Sequence, residues 1–383
     1  MLMLPHLTIV WVLYSDTGDF KKAKEYYQLA LEIQKEQLGP NHVDVATSYN
    51  NLGTVYSHTN DLAKAKEYYQ LALEILKEKV DPNHADVATS YSNLGAVNRK
   101  TGDLEEAKEI YQFALEIQKE KLGPNHVDVA RSYNNLGTVY SDTGDLEKEK
   151  ECHQHALEIQ KEKLGPNHVD VATSYNNLGI LYNDRGYQKK AKKYHEFALE
   201  IRKEHLGQIH VDVARSYSNL GTMFSDAGDQ KKAKECHQLA LEIQKEKLGP
   251  NHVDVATSYN NLGTVYSDAG DLKKAKECHQ LALEIKKEQL GPNHVDVATS
   301  YDNLGLIYKD TGDLEKAKGY NQISLKIRKE KLGPNHVDFS ISCNNLGLVY
   351  SKSGDLEKAR EYYEQALEIQ KEQLGPNHRD ILQ

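Results

Sequence analysis

The chain has 383 residues, 39% hydrophobic and 27% charged, with a formal net charge of −9. That balance argues against a nucleic-acid partner, which calls for a basic face. Four cysteines (Cys152, Cys236, Cys278 and Cys343) stand far apart with no CxxC pair and no N-x-S/T sequon, which excludes a disulfide framework and fits a reducing, cytoplasmic setting.

The chain opens on MLMLPHLTIVWVL, too short to span a bilayer and lacking the basic leader and cleavage site of a signal peptide. Residues 1–15 are expected to be a degenerate first helix or a truncated start. A Gly-Pro step or its equivalent then recurs at Gly39, Asp81, Gly123, Gly165, Gly207, Gly249, Gly291, Gly333 and Gly375, every 42 residues. A fixed period in this range means stacked units. Residues 1–383 are therefore expected to form a single solenoid of about nine units, not the two or three domains that length suggests.

The unit from Gly249 to Gly291 stands for the others. Its first helical stretch runs from about Val253 to Ser267, with Val255, Tyr259, Leu262 and Tyr266 on one face. Asn251 is the expected N-cap, with Asp254 completing an imperfect capping box. Gly270 supplies the positive φ of the turn, and one unit has Asn60 there, the next most tolerant residue. Asp271 is expected to cap a second helix from about Leu272 to Leu290, stopped by Gly291-Pro292. Leu272, Ala275, His279, Ala282 and Ile285 form its apolar stripe. Neither helix covers its stripe alone, so each pair must pack on the next. Residues 376–383 begin a further unit.

Leu262, Gly263, Tyr266, Ala275 and Ala282 recur at fixed offsets and match the L-G-x-x-Y and spaced-alanine pattern of tetratricopeptide repeats. The 42-residue length, the L-G-P-N-H-x-D-V-A tail and the N-N-L of the first helix resemble repeats of the kinesin light chain and nephrocystin type, over about residues 14–380. The resemblance implies an all-α fold, a right-handed α-solenoid of tetratricopeptide helical hairpins. It departs at Val253, where the light-chain pattern has proline, and in lacking the heptad segment that joins the motor chain.

The first helices raise a question. Asn is a poor helix former, yet every complete first helix carries Asn51, Asn93, Asn135, Asn177, Asn219, Asn261, Asn303 or Asn345 at one fixed position. The position before it holds Asn50, Ser92, Asn134, Asn176, Ser218, Asn260, Asp302 or Asn344. The second helices use Lys, Glu and Gln on their exposed faces, so water alone does not account for the asparagines. Thr257, Asn260, Asn261, Thr264, Ser267 and Asp268 fall within an arc of roughly 120°. In tetratricopeptide folds this face lines the concave groove. The resemblance thus implies a peptide-binding groove of Asn51, Asn93, Asn134, Asn135, Asn176, Asn177, Asn219, Asn260, Asn261, Asn303 and Asn345, tuned by Arg131 and Arg215, which replace threonine. Amides that donate and accept suit the main chain of an extended ligand. Structural bonding between helices and inherited repetition are the other accounts of the pair.

Cys152-His153, Cys236-His237 and Cys278-His279 stand where other units have Tyr68-Tyr69 or Tyr362-Tyr363, and read as packing variants rather than metal ligands. A second row, His42, His84, His126, His168, His210, His252, His294, His336 and His378, reads as capping or turn packing, with a pH-sensitive row as the alternative. No GxxxxGK[ST], GxSxG or HExxH motif occurs, so no enzyme and no cofactor or metal is expected. The expected function is a non-enzymatic scaffold that binds a protein or peptide, resembling the kinesin light chain as a cargo or complex adaptor, with no nucleic acid or membrane partner. The alternatives are the sensor arm of a larger P-loop ATPase and a structural solenoid that self-associates end to end.

Overall fold

The computed structural model describes residues 20–81 and 83–374. Expectations for residues 1–15 and 376–383, and for His378, lie outside the described residues. Seventeen helices and no strand are found among those described. The second helices of the units are α1 (Phe20–Leu38), α3 (Leu62–Lys79), α5 (Leu104–Leu122), α7 (Leu146–Leu164), α9 (Gln188–Leu206), α11 (Gln230–Leu248), α13 (Leu272–Leu290), α15 (Leu314–Leu332) and α17 (Leu356–Leu374). The first helices are α2 (Val43–His58), α4 (Ala85–Thr101), α6 (Val127–Asp142), α8 (Val169–Asp184), α10 (Val211–Asp226), α12 (Val253–Asp268), α14 (Val295–Thr311) and α16 (Val337–Ser353). The helices gather into two compact units, Met1–Ser174 and Tyr175–Gln383, with the boundary inside α8.

Helix ends follow local chemistry, with one correction. The cap of α12 is His252, not Asn251: its ring Nδ1 accepts the backbone N–H of Asp254 at 3.1 Å. All eight described first helices start this way, at 3.0 to 3.2 Å. An imidazole Nδ1 two residues before the amide does what a serine or aspartate oxygen does at an ordinary N-cap. Asp271 caps α13 as expected, accepting from Lys274 N at 3.2 Å. Gly270 has φ 79° and Asn60 has φ 58°, so the turn does require the left-handed region.

Within each unit helices pack on their neighbours in sequence: α12 on α13 as a hairpin, then α13 on α14. The core is shared accordingly. Leu241 of α11, Val255, Ala256 and Leu262 of α12, and Ala282 and Ile285 of α13 form one cluster, with Tyr259, Tyr266 and Cys278 packed on its rim. Burying each large aliphatic side chain contributes about 2 kcal/mol, and here it takes three helices from two repeats to do so.

Gly263 marks the closest approach in the hairpin. A Cβ there would lie 2.6 Å from the ring of His279. The same glycine faces Tyr69 at Gly53, Tyr111 at Gly95, and His153, His195 and His237 at Gly137, Gly179 and Gly221. The Cys-His dipeptides are therefore packing variants: each histidine fills the slot that takes tyrosine elsewhere.

Candidate functional site

The two asparagines of each pair lie in different surroundings. Asn134, Asn176 and Asn260 are buried, 7 to 8% exposed. Asn51, Asn93, Asn135, Asn177, Asn219, Asn261 and Asn303 are half-buried, and Asn345 is 9% exposed.

The buried amides hold helices together. His153 Nδ1 of α7 lies 3.0 Å from Asn134 Oδ1 of α6. Asn134 Nδ2 donates to Ser174 Oγ of α8 at 2.8 Å, and Ser174 Oγ donates to Gln160 Oε1 of α7 at 2.6 Å. Four side chains from two consecutive repeats thus form one buried chain of bonds. Asn260 repeats the pattern with His279 at 3.1 Å and Ser300 at 3.2 Å. Asn176 accepts from His195 at 3.2 Å and from Asn219 Nδ2 at 2.5 Å. A buried amide is costly unless bonded; Asn134 and Asn260 are bonded at both ends, Asn176 through its oxygen. All three are interior residues, and in Asn134 and Asn260 both amide atoms are engaged between helices.

In one unit the same device is ionic. Asp302 takes the place of the asparagine and Arg328 that of the glutamine, with Nη1 to Oδ2 at 2.7 Å and both side chains 4% exposed. Arg328 Nη1 also donates to Ser342 Oγ and to Asp338 O, each at 2.9 Å. Burial pushes the Asp302 carboxyl up, and Arg328 opposes that. Where the position is Ser218, His237 Nδ1 is left without a partner among the described residues. Ser48, Ser90, Ser132, Ser174, Ser216, Ser258, Ser300 and Ser342 recur in every first helix. That invariance, and the joint appearance of Asp302 and Arg328, are the signals that sequence reasoning passed over.

The second asparagine lies about 100° further round the helix. Among the described residues the amides of Asn51, Asn93, Asn135, Asn261 and Asn303 make no hydrogen bond, whereas Asn219 bonds Asn176 and Asn345 bonds Asp302. Consecutive first helices touch one another, α2 with α4, α4 with α6, α10 with α12, α12 with α14 and α14 with α16. Contacts of that extent are absent between consecutive second helices among the described residues.

Arg131 and Arg215 stay in solvent, 69 and 60% exposed, each paired with the aspartate one turn back, Asp128 and Asp212. Charges at the far end of the first helices bind across repeats. Arg99 pairs with Asp142, Lys100 Nζ donates to Ser57 O at 3.2 Å, and Lys352 Nζ donates to Lys309 O at 2.8 Å. All four cysteines are free thiols. Among the described residues, no three His, Cys, Asp or Glu side chains gather into a metal-binding group, and no helix is long and apolar enough to cross a membrane.

The tetratricopeptide repeat profile matches residues 12–78, 86–162, 150–204, 189–246, 212–288, 254–330, 296–372 and 340–383. The chain belongs to the tetratricopeptide repeat family, as a stack of helical hairpins. Three solved structures are similar to it. A Rap protein complexed with competence and sporulation factor is 16% identical, with 96% of this chain and 99% of that one covered and a TM-score of 0.63. BtubC (BKLC) from P. vanneervenii is 26% identical, covering 62% of this chain and 94% of that one, TM-score 0.48. A putative kinesin light chain from Podosopora anserina with nearly identical TPR-like repeats is 22% identical, covering 52% and 94%, TM-score 0.45. No curated protein matches this chain at a significant level.

Proposed function

We propose that the chain is a non-enzymatic scaffold whose first-helix faces hold an extended segment of a protein partner. The observation that carries this is the set of half-buried amides without a bond of their own, at Asn51, Asn93 and Asn135 in one unit and Asn261 and Asn303 in the other. An amide in that state can donate to and accept from a main chain without requiring charge on the ligand. It costs a few tenths of a kcal/mol in helix propensity relative to Lys or Glu, so a bland solvated face would favour the latter. The groove so proposed contains the second asparagine of each pair, flanked by Arg131 and Arg215, and leaves the first to the interior. The four free thiols fit a reducing cytoplasm.

The test is selection of binders from a displayed random-peptide library on the intact chain, followed by titration against Asn261→Ala with Asn303→Ala. Affinity is expected to fall about tenfold or more while helicity and melting stay unchanged. Selected peptides that bind the double variant as well as the parent, or a clear fall in its melting temperature, would end this reading.

A further inference from the structure

The second helices of residues 175–374 carry a row of apolar side chains that the described residues leave uncovered. Phe197 of α9, Leu239 of α11, Leu281 of α13 and Ile323 of α15 are 37, 41, 42 and 42% exposed. They recur at the 42-residue interval, so they stand at one position of four consecutive helices. One half-exposed leucine needs no account, but a row through four units does. Among residues 20–174 the same position holds Leu29 and Phe113, 53 and 49% exposed, with Leu71 between them, and His155 of α7 ends that series.

The charge beside Leu239 and Leu281 has one sign, whereas Phe197 has Lys193 Nζ over its ring at 5.4 Å and Ile323 has Lys326 one turn on. On α13, Glu277 and Glu284 lie one turn to either side of Leu281 on the same helical stripe. On α11, Glu235 and Glu242 stand likewise about Leu239. All four are exposed, and among the described residues none forms an ion pair. Of the two lysines at the start of each helix, one pairs with the capping aspartate: Lys274 with Asp271 at 2.8 Å and Lys232 with Asp229 at 2.6 Å. What remains is a pair of exposed leucines between exposed carboxylates, of which Glu277 and Glu235 also act on Lys274 and Lys232 one turn away. Such a surface repels anionic membranes and nucleic acid and attracts cations.

The backbone decides between an extended and a helical visitor. Main-chain groups along α11 and α13 are bonded inside their own helices, so an extended segment finds no ladder to join. A helix brings its backbone bonds with it. We infer that the exposed face of α11 and α13 takes a lysine- or arginine-rich amphipathic helix of a partner protein. The partner's apolar side seats on Leu239 and Leu281, and its cations meet the flanking glutamates. This surface is separate from the first-helix groove and does not depend on it.

The probe is a synthetic amphipathic helix of leucine and lysine, titrated into the full chain at physiological salt, where attraction between distant charges is screened. Saturable binding is expected. Leu239→Gln with Leu281→Gln should weaken it about tenfold or more, as should Glu242→Lys with Glu284→Lys, with melting unchanged in both. Asp268→Lys with Asp310→Lys makes the same change in net charge on the first-helix side, and is expected to leave affinity within about twofold because those sites are remote. Equal losses from the two charge reversals, no loss from the leucine pair, or an absence of saturable binding would each overturn the proposal.

Discussion

The ring of His279 is 2% exposed against the bare backbone of Gly263, and burial holds its pKa down to about 4. His153, His195 and His237 occupy the same slot, and burial lowers each of them to about 4 from the ordinary 6.5. The folded state therefore binds fewer protons than the unfolded chain between those two values. Stability is full above about pH 6.5 and falls as pH drops toward 4, by up to about 3 kcal/mol per histidine. Tyrosine relieves this without emptying the slot, since Tyr69 fills it elsewhere and places its hydroxyl 3.0 Å from Thr54 Oγ1. Thr138, Thr222 and Thr264 stand at the matching positions for His153, His237 and His279. His153→Tyr, His237→Tyr and His279→Tyr together should reduce by a third or more the loss of melting temperature between pH 7 and 4.5. A triple variant as acid-sensitive as its parent would show that these rings do not set the response.

A helical hairpin here is a ring on one helix seated against a glycine on the other, with Asn321 against Gly305 the exception. Gly263→Ala would put a Cβ 2.6 Å from His279 Cε1, and a rigid buried ring has little room to move. The expected cost is about 1–3 kcal/mol. Adding His279→Ala removes the obstacle, so the double variant should be less destabilised than the two single losses summed; urea melts of all three would show strict additivity if the contact did not matter. Element boundaries were within reach of sequence because turn chemistry marks them. The second helix expected from Leu272 to Leu290 is α13, and the first, expected from Val253, starts there. Sequence alone places the N-cap on Asn251, one residue early, although it reads the histidine row as capping or turn packing; His252 Nδ1 is the group that accepts the Asp254 amide.

The assembly of repeats depends on register at 42 residues, since Gln244 Oε1 accepts from Ser258 Oγ at 2.5 Å across one repeat junction, as Gln160 does from Ser174 at 2.6 Å across another. Deleting residues 253–294 joins His252 to Val295 and brings Ser300 to the place of Ser258, so the chain should keep its helicity per residue and a cooperative melt. Deleting residues 253–273 removes half a period and should abolish that melt in circular dichroism. If both shortened chains melt alike, the register is not what holds the stack. The period, the alternation of two helices and the faces they bury could all be read along the chain, because each follows from spacing and from glycine, proline and capping residues acting over a few positions. The fate of the paired asparagines could not. Asn260 and Asn261 are chemically the same and differ only by about 100° of helical rotation, so whether an amide is bonded inside or left at the surface depends on where the neighbouring helices pass. Packing between α12, α13 and α14 turns Asn260 inward to His279 and Ser300 and leaves Asn261 half-exposed.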